Sequence, residues 1–338
     1  MGLKVAIVHS WQRRGAGARL LLPFALALTQ LVALRRLLYR MGLLPTVRLP
    51  VPVVVVGNIT AGGSGKTPLV LWLADELARS GRTPGIVSRG YGGRGRAPRP
   101  VSPQDDASVV GDEPLLLARR APCPVWIGAD RVAAARGLLA MHPECNLIIA
   151  DDGLQHYRLG RDYEIVVLDE LGLRNGWPLP AGPLREPISR IAEVDAVVLN
   201  GEVPADVAAS LPSRQVAAMK LVGTRFYRLD APEQTADASA FRGQRVHAIA
   251  GIGNPRRFFD HLSELGLMFS AHPFLDHYRY RAADLAFQDC DVLLMTEKDA
   301  VKCRNIAPAN TWVLPVYAQL SPEFAGSIME KIDGRQTA

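Results

Sequence analysis

A run of valines ends in a glycine-rich turn. Val53 to Val56 leads directly into Gly57-Asn58-Ile59-Thr60-Ala61-Gly62-Gly63-Ser64-Gly65-Lys66-Thr67, and from Pro68 onward the residues favour a helix. Strand, glycine turn and helix in that order make a phosphate-binding loop, because backbone N–H groups of the turn and the helix N-terminus point at the same anion. On this reading Thr60, Ala61, Gly62, Gly63, Ser64, Gly65, Lys66 and Thr67 cradle a nucleoside triphosphate. Lys66 reaches the β- and γ-phosphates and Thr67 ligates Mg²⁺. The strict pattern wants glycine at position 60, where this chain has Thr60. The mechanics survive the departure, since Gly62, Gly63 and Gly65 leave the backbone approachable.

Such a loop belongs to an α/β fold, and the rest of the chain agrees. Val53 to Val56, Gly85 to Val87, Val125 to Ile127, Leu147 to Ala150, Ile165 to Leu168 and Ala196 to Leu199 are short, almost wholly apolar runs. That composition suits strands of a parallel sheet covered on both faces. Pro68 to Ser80 and Arg131 to Met141 supply intervening helices. A shorter α/β series follows, with Val246 to Ala250 and Val292 to Met295 as its clearest strands. The expected architecture is therefore a P-loop NTPase-like parallel sheet with helices on both faces, a smaller α/β C-terminal domain, and an N-terminal amphipathic helix. The polar stretch Glu202 to Ser213 suggests segments 1–48, 49–205 and 206–338.

Phosphoryl transfer needs an acidic metal partner near the P-loop and a group that accepts the attacking hydroxyl's proton. Asp151 and Asp152 close the run Leu147 to Ala150, and adjacent carboxylates repel unless a cation compensates them. One of the two contacts Mg²⁺; spacing does not assign which. Asp112 and Glu113 in Gly111-Asp112-Glu113-Pro114 are candidates for the proton acceptor, and Asp112 reads equally as a helix N-cap. His277, in Asp276-His277-Tyr278, is the most suggestive histidine. Lys298 and Asp299 in Thr296-Glu297-Lys298-Asp299 resemble part of a guanine-recognition motif, but Ala300 stands where that motif needs Asp. The loop Ser88 to Pro103, with Arg89, Arg94, Arg96 and Arg99 among glycines, is either a solvated loop or a clamp for an anionic substrate. Cys123, Cys145, Cys290 and Cys303 show no metal or disulfide spacing and read as reduced packing thiols.

The net charge of +6 invites a nucleic-acid reading, but its distribution argues against one. The first 48 residues hold eight basic residues and no acidic one, so the remaining 290 are nearly balanced. Within that segment Leu20 to Leu34 is strongly apolar. It falls short of the roughly 20 residues a spanning helix needs, and it runs into Arg35 and Arg36 with no cleavage site for a signal peptide. Arg36, Thr29, Arg40, Arg19 and Gln30 project onto one arc of a helix, with Pro23 accommodated near a first turn that begins there. The alternatives are a helix lying in an anionic membrane interface and an amphipathic helix packed on its own domain.

Taken together, GNITAGGSGKTP at 57–68, SRGYGG at 88–93, GDEP at 111–114, GADR at 128–131, IADDGLQH at 149–156, PAGPLREP at 180–187, GIGNP at 251–255, FLDHY at 274–278 and TEKDAVK at 296–302 resemble the tetraacyldisaccharide 4′-kinase family. The resemblance covers nearly the whole chain. It implies transfer of the ATP γ-phosphate, with Mg²⁺, to the 4′-hydroxyl of a tetraacylated glucosamine disaccharide 1-phosphate, a glycolipid, at the cytoplasmic face of a bacterial inner membrane. It also implies Asp112 as catalytic base assisted by His277, Lys66 at the nucleotide, Thr67, Asp151 and Asp152 at the metal, and Arg131, Arg185 and Glu186 near the cleft. Neither nucleic acid nor an obligate protein partner is expected. The competing class is a P-loop NTPase that couples hydrolysis to assembly of a partner protein.

Overall fold

The computed structural model describes residues 11, 14–95, 97–203, 211 and 215–336. Lys4, Arg13, Arg96 and most of the stretch Glu202 to Ser213 lie outside the described residues. The helices are α1 (Ala16–Arg40), α2 (Lys66–Arg79), α3 (Ala107–Val110), α4 (Asp112–Arg120), α5 (Arg131–Met141), α6 (Pro255–Glu264), α7 (Glu297–Cys303) and α8 (Glu323–Gln336). The larger sheet takes β1 (Val53–Gly57), β2 (Pro84–Ser88), β3 (Arg99–Pro100), β4 (Val125–Ile127), β5 (Leu147–Asp151), β6 (Tyr163–Asp169), β7 (Ala196–Asn200) and β8 (Gln215–Val222). The smaller sheet takes β9 (Arg225–Arg228), β10 (Thr235–Asp237), β11 (Val246–Ala250), β12 (Ser270–Pro273), β13 (Val292–Thr296) and β14 (Thr311–Leu314); β15 (Tyr317–Gln319) returns to the larger one.

The larger sheet runs β15-β8-β7-β6-β1-β5-β2-β4-β3. Its seven inner strands are parallel, and only the short edges β3 and β15 pair antiparallel. Four consecutive valines suit β1 because both faces are covered. Val54 and Val56 pack in one core with Leu69 and Leu73 of α2, while Val53 and Val55 pack in another with Val132 and Leu138 of α5. Alternate side chains of a strand point to opposite faces, so a doubly covered strand is apolar at every position. β5 and β6 flank β1 on either side, which places the turn after β1 where the strand order reverses and a ligand crevice opens.

The smaller sheet runs β10-β9-β14-β13-β11-β12, parallel from β14 to β12 and antiparallel beyond. The strand sets do not divide at 205/206. β8 lies parallel to β7, β15 closes on β8, and α8 buries Phe324, Ile328 and Ile332 in the core of the larger sheet. The chain thus leaves the larger layer after β8 and comes back for its last 20 or so residues, a return that local composition does not announce.

α1 departs from expectation at its start and in its burial. It begins at Ala16, so Pro23 falls inside it, and its 25 residues are long and apolar enough to cross a membrane by length and composition. The missing Pro N–H removes one bond of the ladder without ending the helix. Of its residues only Ala18 and Ala25 are buried, while Leu20, Phe24, Leu26, Leu28, Leu31, Leu34 and Leu37 are exposed. The helix therefore does not pack its apolar face on its own protein. Of its polar arc, Arg36 turns inward to pair with Glu193, while Arg19, Gln30 and Arg40 stay exposed.

Candidate active site

The C-terminal ends of the parallel strands in both sheets open onto one cleft of about 560 Å³. On the larger side, the loop after β1 is stapled from beneath. Asn58 is fully buried, and its Nδ2 donates to Ser64 Oγ at 3.1 Å and the Gly62 carbonyl at 3.4 Å. Gly65 has φ +90, and a Cβ there would meet Asn200 Nδ2 at 2.2 Å, so the turn into α2 admits only glycine. Asn200, at the end of β7, donates to the Ser64 carbonyl at 2.9 Å and accepts from Arg257 of α6 at 2.6 Å. Ala61 is used otherwise than expected: its N–H donates to the Pro183 carbonyl at 2.7 Å, and on the other side of Thr60 the Arg185 N–H donates to the Ile59 carbonyl at 2.7 Å, which bridges Thr60 to Leu184 and holds the loop to the segment before Arg185.

Lys66, the first residue of α2, is buried with its ammonium 3.5 Å from Asp152, and Thr67 follows it at the cleft wall. The two aspartates at the end of β5 differ sharply. Asp152 adopts φ 47, a conformation uncommon outside glycine, and Arg185 donates to both its oxygens at 3.0 and 3.1 Å. Burial alone would raise its pKa, but Lys66 and Arg185 outweigh burial and hold the carboxyl well below the usual range. Asp151 is pushed the other way, first by complete burial and then by the charges of Glu113 and Asp152. Its Oδ2 accepts from Ser88 Oγ at 2.9 Å, while Oδ1 has no hydrogen-bond partner among the described residues.

That unpartnered buried oxygen suits a hard divalent cation, which takes oxygen ligands. Asp151 with the Thr67 hydroxyl is a donor set that Mg²⁺ accepts when phosphate oxygens complete it. Among the described residues no group of three His, Cys, Asp or Glu forms a self-sufficient metal cluster.

Asp112 opens α4 behind Gly111, which holds the cap position at φ 93; the carboxylate itself is the first helical residue and is buried. Across the cleft, His277 Nδ1 approaches its two oxygens at 2.9 and 3.0 Å. His277 sits at φ 60, the kind of backbone strain that accumulates where a side chain must be aimed. Tyr91, half exposed in the Ser88 to Pro103 loop, packs edgewise on the His277 ring at 4.9 Å between centroids. Burial would raise the Asp112 pKa, yet the hydrogen bond to His277 and the charges of Lys298, His277 and Lys302 leave it lowered.

Arg131 is buried at the start of α5. It donates from Nη1 to the Ala129 carbonyl at 3.1 Å, its Nε has no partner among the described residues, and burial together with Arg89 pulls its pKa down to about 10. Its charge acts on both Asp151 and Asp152, which keeps it with the acidic pair. Glu186 is not brought to the cleft. Its oxygens accept from Gln155 at 2.9 Å and Tyr157 at 2.6 Å, and Arg190 lies 3.4 Å away, so it props the layer behind Arg185.

Asp299 has no nucleobase role either: it accepts from Gly251 N–H at 3.0 Å, Tyr280 OH at 3.0 Å and Thr296 Oγ at 2.7 Å, which ties β11 to β13. Asn200, Arg257 and Gly253 are site residues that the sequence did not single out, and Lys298 stood out only within a guanine-like motif whose spacing fails. A polar residue ending an apolar strand was the available signal for Asn200; Gly253, whose loop touches Gly63, had only the GIGNP glycines. The four cysteines are free.

The family model described as LpxK, tetraacyldisaccharide-1-P 4'-kinase, matches residues 17–333. A tetraacyldisaccharide 4'-kinase of Azoarcus sp. strain BH72 is 53% identical over 329 residues, covering 97% of this chain and 96% of that one. The protein of the same name from Dechloromonas aromatica strain RCB is 53% identical over 328 residues, with 97% and 96% covered. A crystal structure of the "apo" form of LpxK from Aquifex aeolicus in complex with ATP superposes with a TM-score of 0.77 at 30% identity, covering 93% of this chain and 99% of that one. This chain belongs to the tetraacyldisaccharide-1-P 4'-kinase family.

Proposed function

We propose that the cleft transfers the γ-phosphoryl group of ATP to the 4′-hydroxyl of a tetraacyl disaccharide 1-phosphate, giving lipid IV-A, with the work divided among the residues above. The Asp112–His277 contact carries this reading. It joins elements of the two sheets through a carboxylate held ionised, next in the chain to Glu113, which lines the cleft together with Lys66, Thr67 and Lys298.

The amides from Gly62 to Thr67 and the Lys66 ammonium hold the phosphates and offset the charge that spreads over the migrating phosphoryl group. Leu71, Leu116, Val222, Ile252, Phe258 and Leu314 give the far end of the cleft an apolar lining suited to adenine. Asp151 and Thr67 would hold Mg²⁺, which would supply charge neutralisation on the phosphates. Asp152 keeps Lys66 and Arg185 in place. Asp112 takes the proton of the 4′-hydroxyl, and His277 orients the carboxylate.

Gly63 and the Gly253 loop touch each other at the wall of the cleft that takes ATP. A Cβ on Gly253 would lie 2.2 Å from Gly63 N, so Gly253→Ala must push the smaller domain off the P-loop. Overpacking of this kind costs about 1–3 kcal/mol, and steady-state kinetics should show KM for ATP raised roughly tenfold. An unchanged KM would show that the two loops need not touch.

α1 holds the enzyme at the cytoplasmic face of the inner membrane, where its acyl substrate stays solvated by the bilayer. The outward leucines support this, since surface of that kind is costly in water. Each leucine buried in lipid contributes about 1.5–3 kcal/mol. Leu31→Lys with Leu34→Lys should therefore weaken co-sedimentation with vesicles by at least about tenfold. Equal sedimentation of variant and parent would reject membrane seating through this face. Charge reversal at Arg40 and Arg19, which are exposed, tests the electrostatic part; Arg36 is unsuitable because Glu193 already holds it.

The whole assignment is tested by incubating the protein with ATP, Mg²⁺ and the lipid in detergent. ADP formation should require lipid. ADP released at full rate without it, and increased by a protein partner, would favour the coupling NTPase.

A further inference from the structure

Lys298, the second residue of α7, has its side chain only 14% exposed, and its Nζ donates to Glu113 Oε1 at 2.9 Å and to Asp276 Oδ1 at 3.1 Å. Each of these carboxylates is the chain neighbour of one member of the catalytic pair: Glu113 follows Asp112, and Asp276 precedes His277. Asp276 Oδ2 also lies 3.7 Å from His277 Nε2, on the side of the ring away from Asp112. Asp112, His277, Asp276, Lys298 and Glu113 thus form a closed ring that crosses between the two sheets twice, once through His277 and once through Lys298. Within it stand three carboxylates and, apart from the histidine, one cation.

We propose that Lys298 is a positioning residue for phosphoryl transfer: by gripping the neighbours of Asp112 and His277 together, it sets the geometry of that pair and supplies the positive charge that lets Asp112 stay ionised among other carboxylates. The inference rests on the reading of Asp112 as proton acceptor. The groups that face Asp112 are Glu113 on its own helix, Asp276 and His277 on the loop after β12, and Lys298 and Lys302 on α7. Lys302 is engaged by Asp299 at 2.8 Å, so Lys298 is the cation that the ring itself holds. Glu113, Asp276 and Asp112 outweigh burial and raise the Lys298 pKa, which keeps the side chain charged at any working pH.

An ordinary interdomain clamp would look similar in one respect, and the structure contains its own control. One residue earlier on α7, Glu297 pairs with Arg120 of α4, bridging the same two helices outside the ring. Arg120→Gln removes an ion pair between the same elements and leaves the ring intact.

The experiment is a kcat against pH profile for full-length protein in detergent, with ATP, Mg²⁺ and tetraacyl disaccharide 1-phosphate. It compares Lys298→Met, Lys298→Arg, Arg120→Gln and Asp112→Asn with the parent. Loss of one nearby opposite charge raises a carboxyl pKa by about one unit or more. Activity requires ionised Asp112, so the acid limb of Lys298→Met should move about one unit to higher pH. KM for ATP should stay close to the parent value. Lys298→Arg, which keeps the charge, should restore the limb, and Arg120→Gln should leave it where it was.

If Lys298→Met does not fold, Lys298→Gln, which keeps a donor but no charge, carries the same expectation. A limb that does not move, or that Arg120→Gln moves equally, overturns the inference while Asp112→Asn remains inactive. If Asp112→Asn is active, the acceptor assignment fails and this inference falls with it.

Discussion

Asp112→Asn should lower turnover by roughly 10²- to 10⁴-fold, the range a positioned general base contributes, with little change in ATP affinity. Asparagine keeps the shape of the carboxylate and can still meet His277 Nδ1, which lies 2.9 Å away, but it cannot take a proton. The loss should therefore fall on kcat rather than on binding. The sign of the pH dependence follows from the lowered pKa. Asp112 is ionised through the neutral range, so the rate loss that belongs to Asp112 comes as pH falls through that depressed value. The variant's residual rate should lack this dependence. Normal turnover by Asp112→Asn would exclude the residue as proton acceptor and leave the contact with His277 as a domain clamp.

The second large effect is expected at Asp151. Asp151 keeps one oxygen free and fully buried, whereas both oxygens of Asp152 already accept from Arg185. Asp151→Asn should lower kcat about 10²- to 10³-fold, the cost of removing one electrostatic support of a transition state, and should raise the Mg²⁺ concentration needed for half-maximal rate. Asp152→Asn should leave that concentration nearly unchanged and act through Lys66 and Arg185, which lose their shared counterion. Magnesium titration of both variants separates the roles. If Asp152→Asn alone changed the Mg²⁺ requirement, the assignment within the pair would be reversed.

Much of the larger domain was legible in the chain because doubly covered parallel strands are continuously apolar. Val125 to Ile127 and Val246 to Ala250 coincide with β4 and β11, and the other runs differ from their strands by one or two residues at an end. The return of the chain was not legible. β8 alternates exposed and less exposed residues, as an edge strand does, and its parallel pairing with β7 is a long-range event. The helix start at Ala16 is not legible because Pro23 reads as a boundary, whereas the helix carries it as an internal proline.

At the site, motif spacing found Lys66, Thr67, Asp151 and Asp152, since a P-loop and its acidic strand are local features. It could not foresee that Ala61 spends its N–H on Pro183, nor that Glu186 turns toward Tyr157. Adjacent residues on a loop point different ways, and only the fold decides which one meets the cleft. Lys298 lay in a motif whose spacing failed for guanine, and its partners Glu113 and Asp276 are 185 and 22 residues away. No local pattern carries such a ring.

The most direct measurement is the position of the phosphate on the lipid. Purified protein, ATP, Mg²⁺ and tetraacyl disaccharide 1-phosphate should yield a bisphosphorylated lipid whose new monoester, located by phosphorus NMR and mass spectrometry, is on the 4′-oxygen, with one ADP formed for each. ADP that accumulates while the lipid remains a 1-monophosphate would contradict the account.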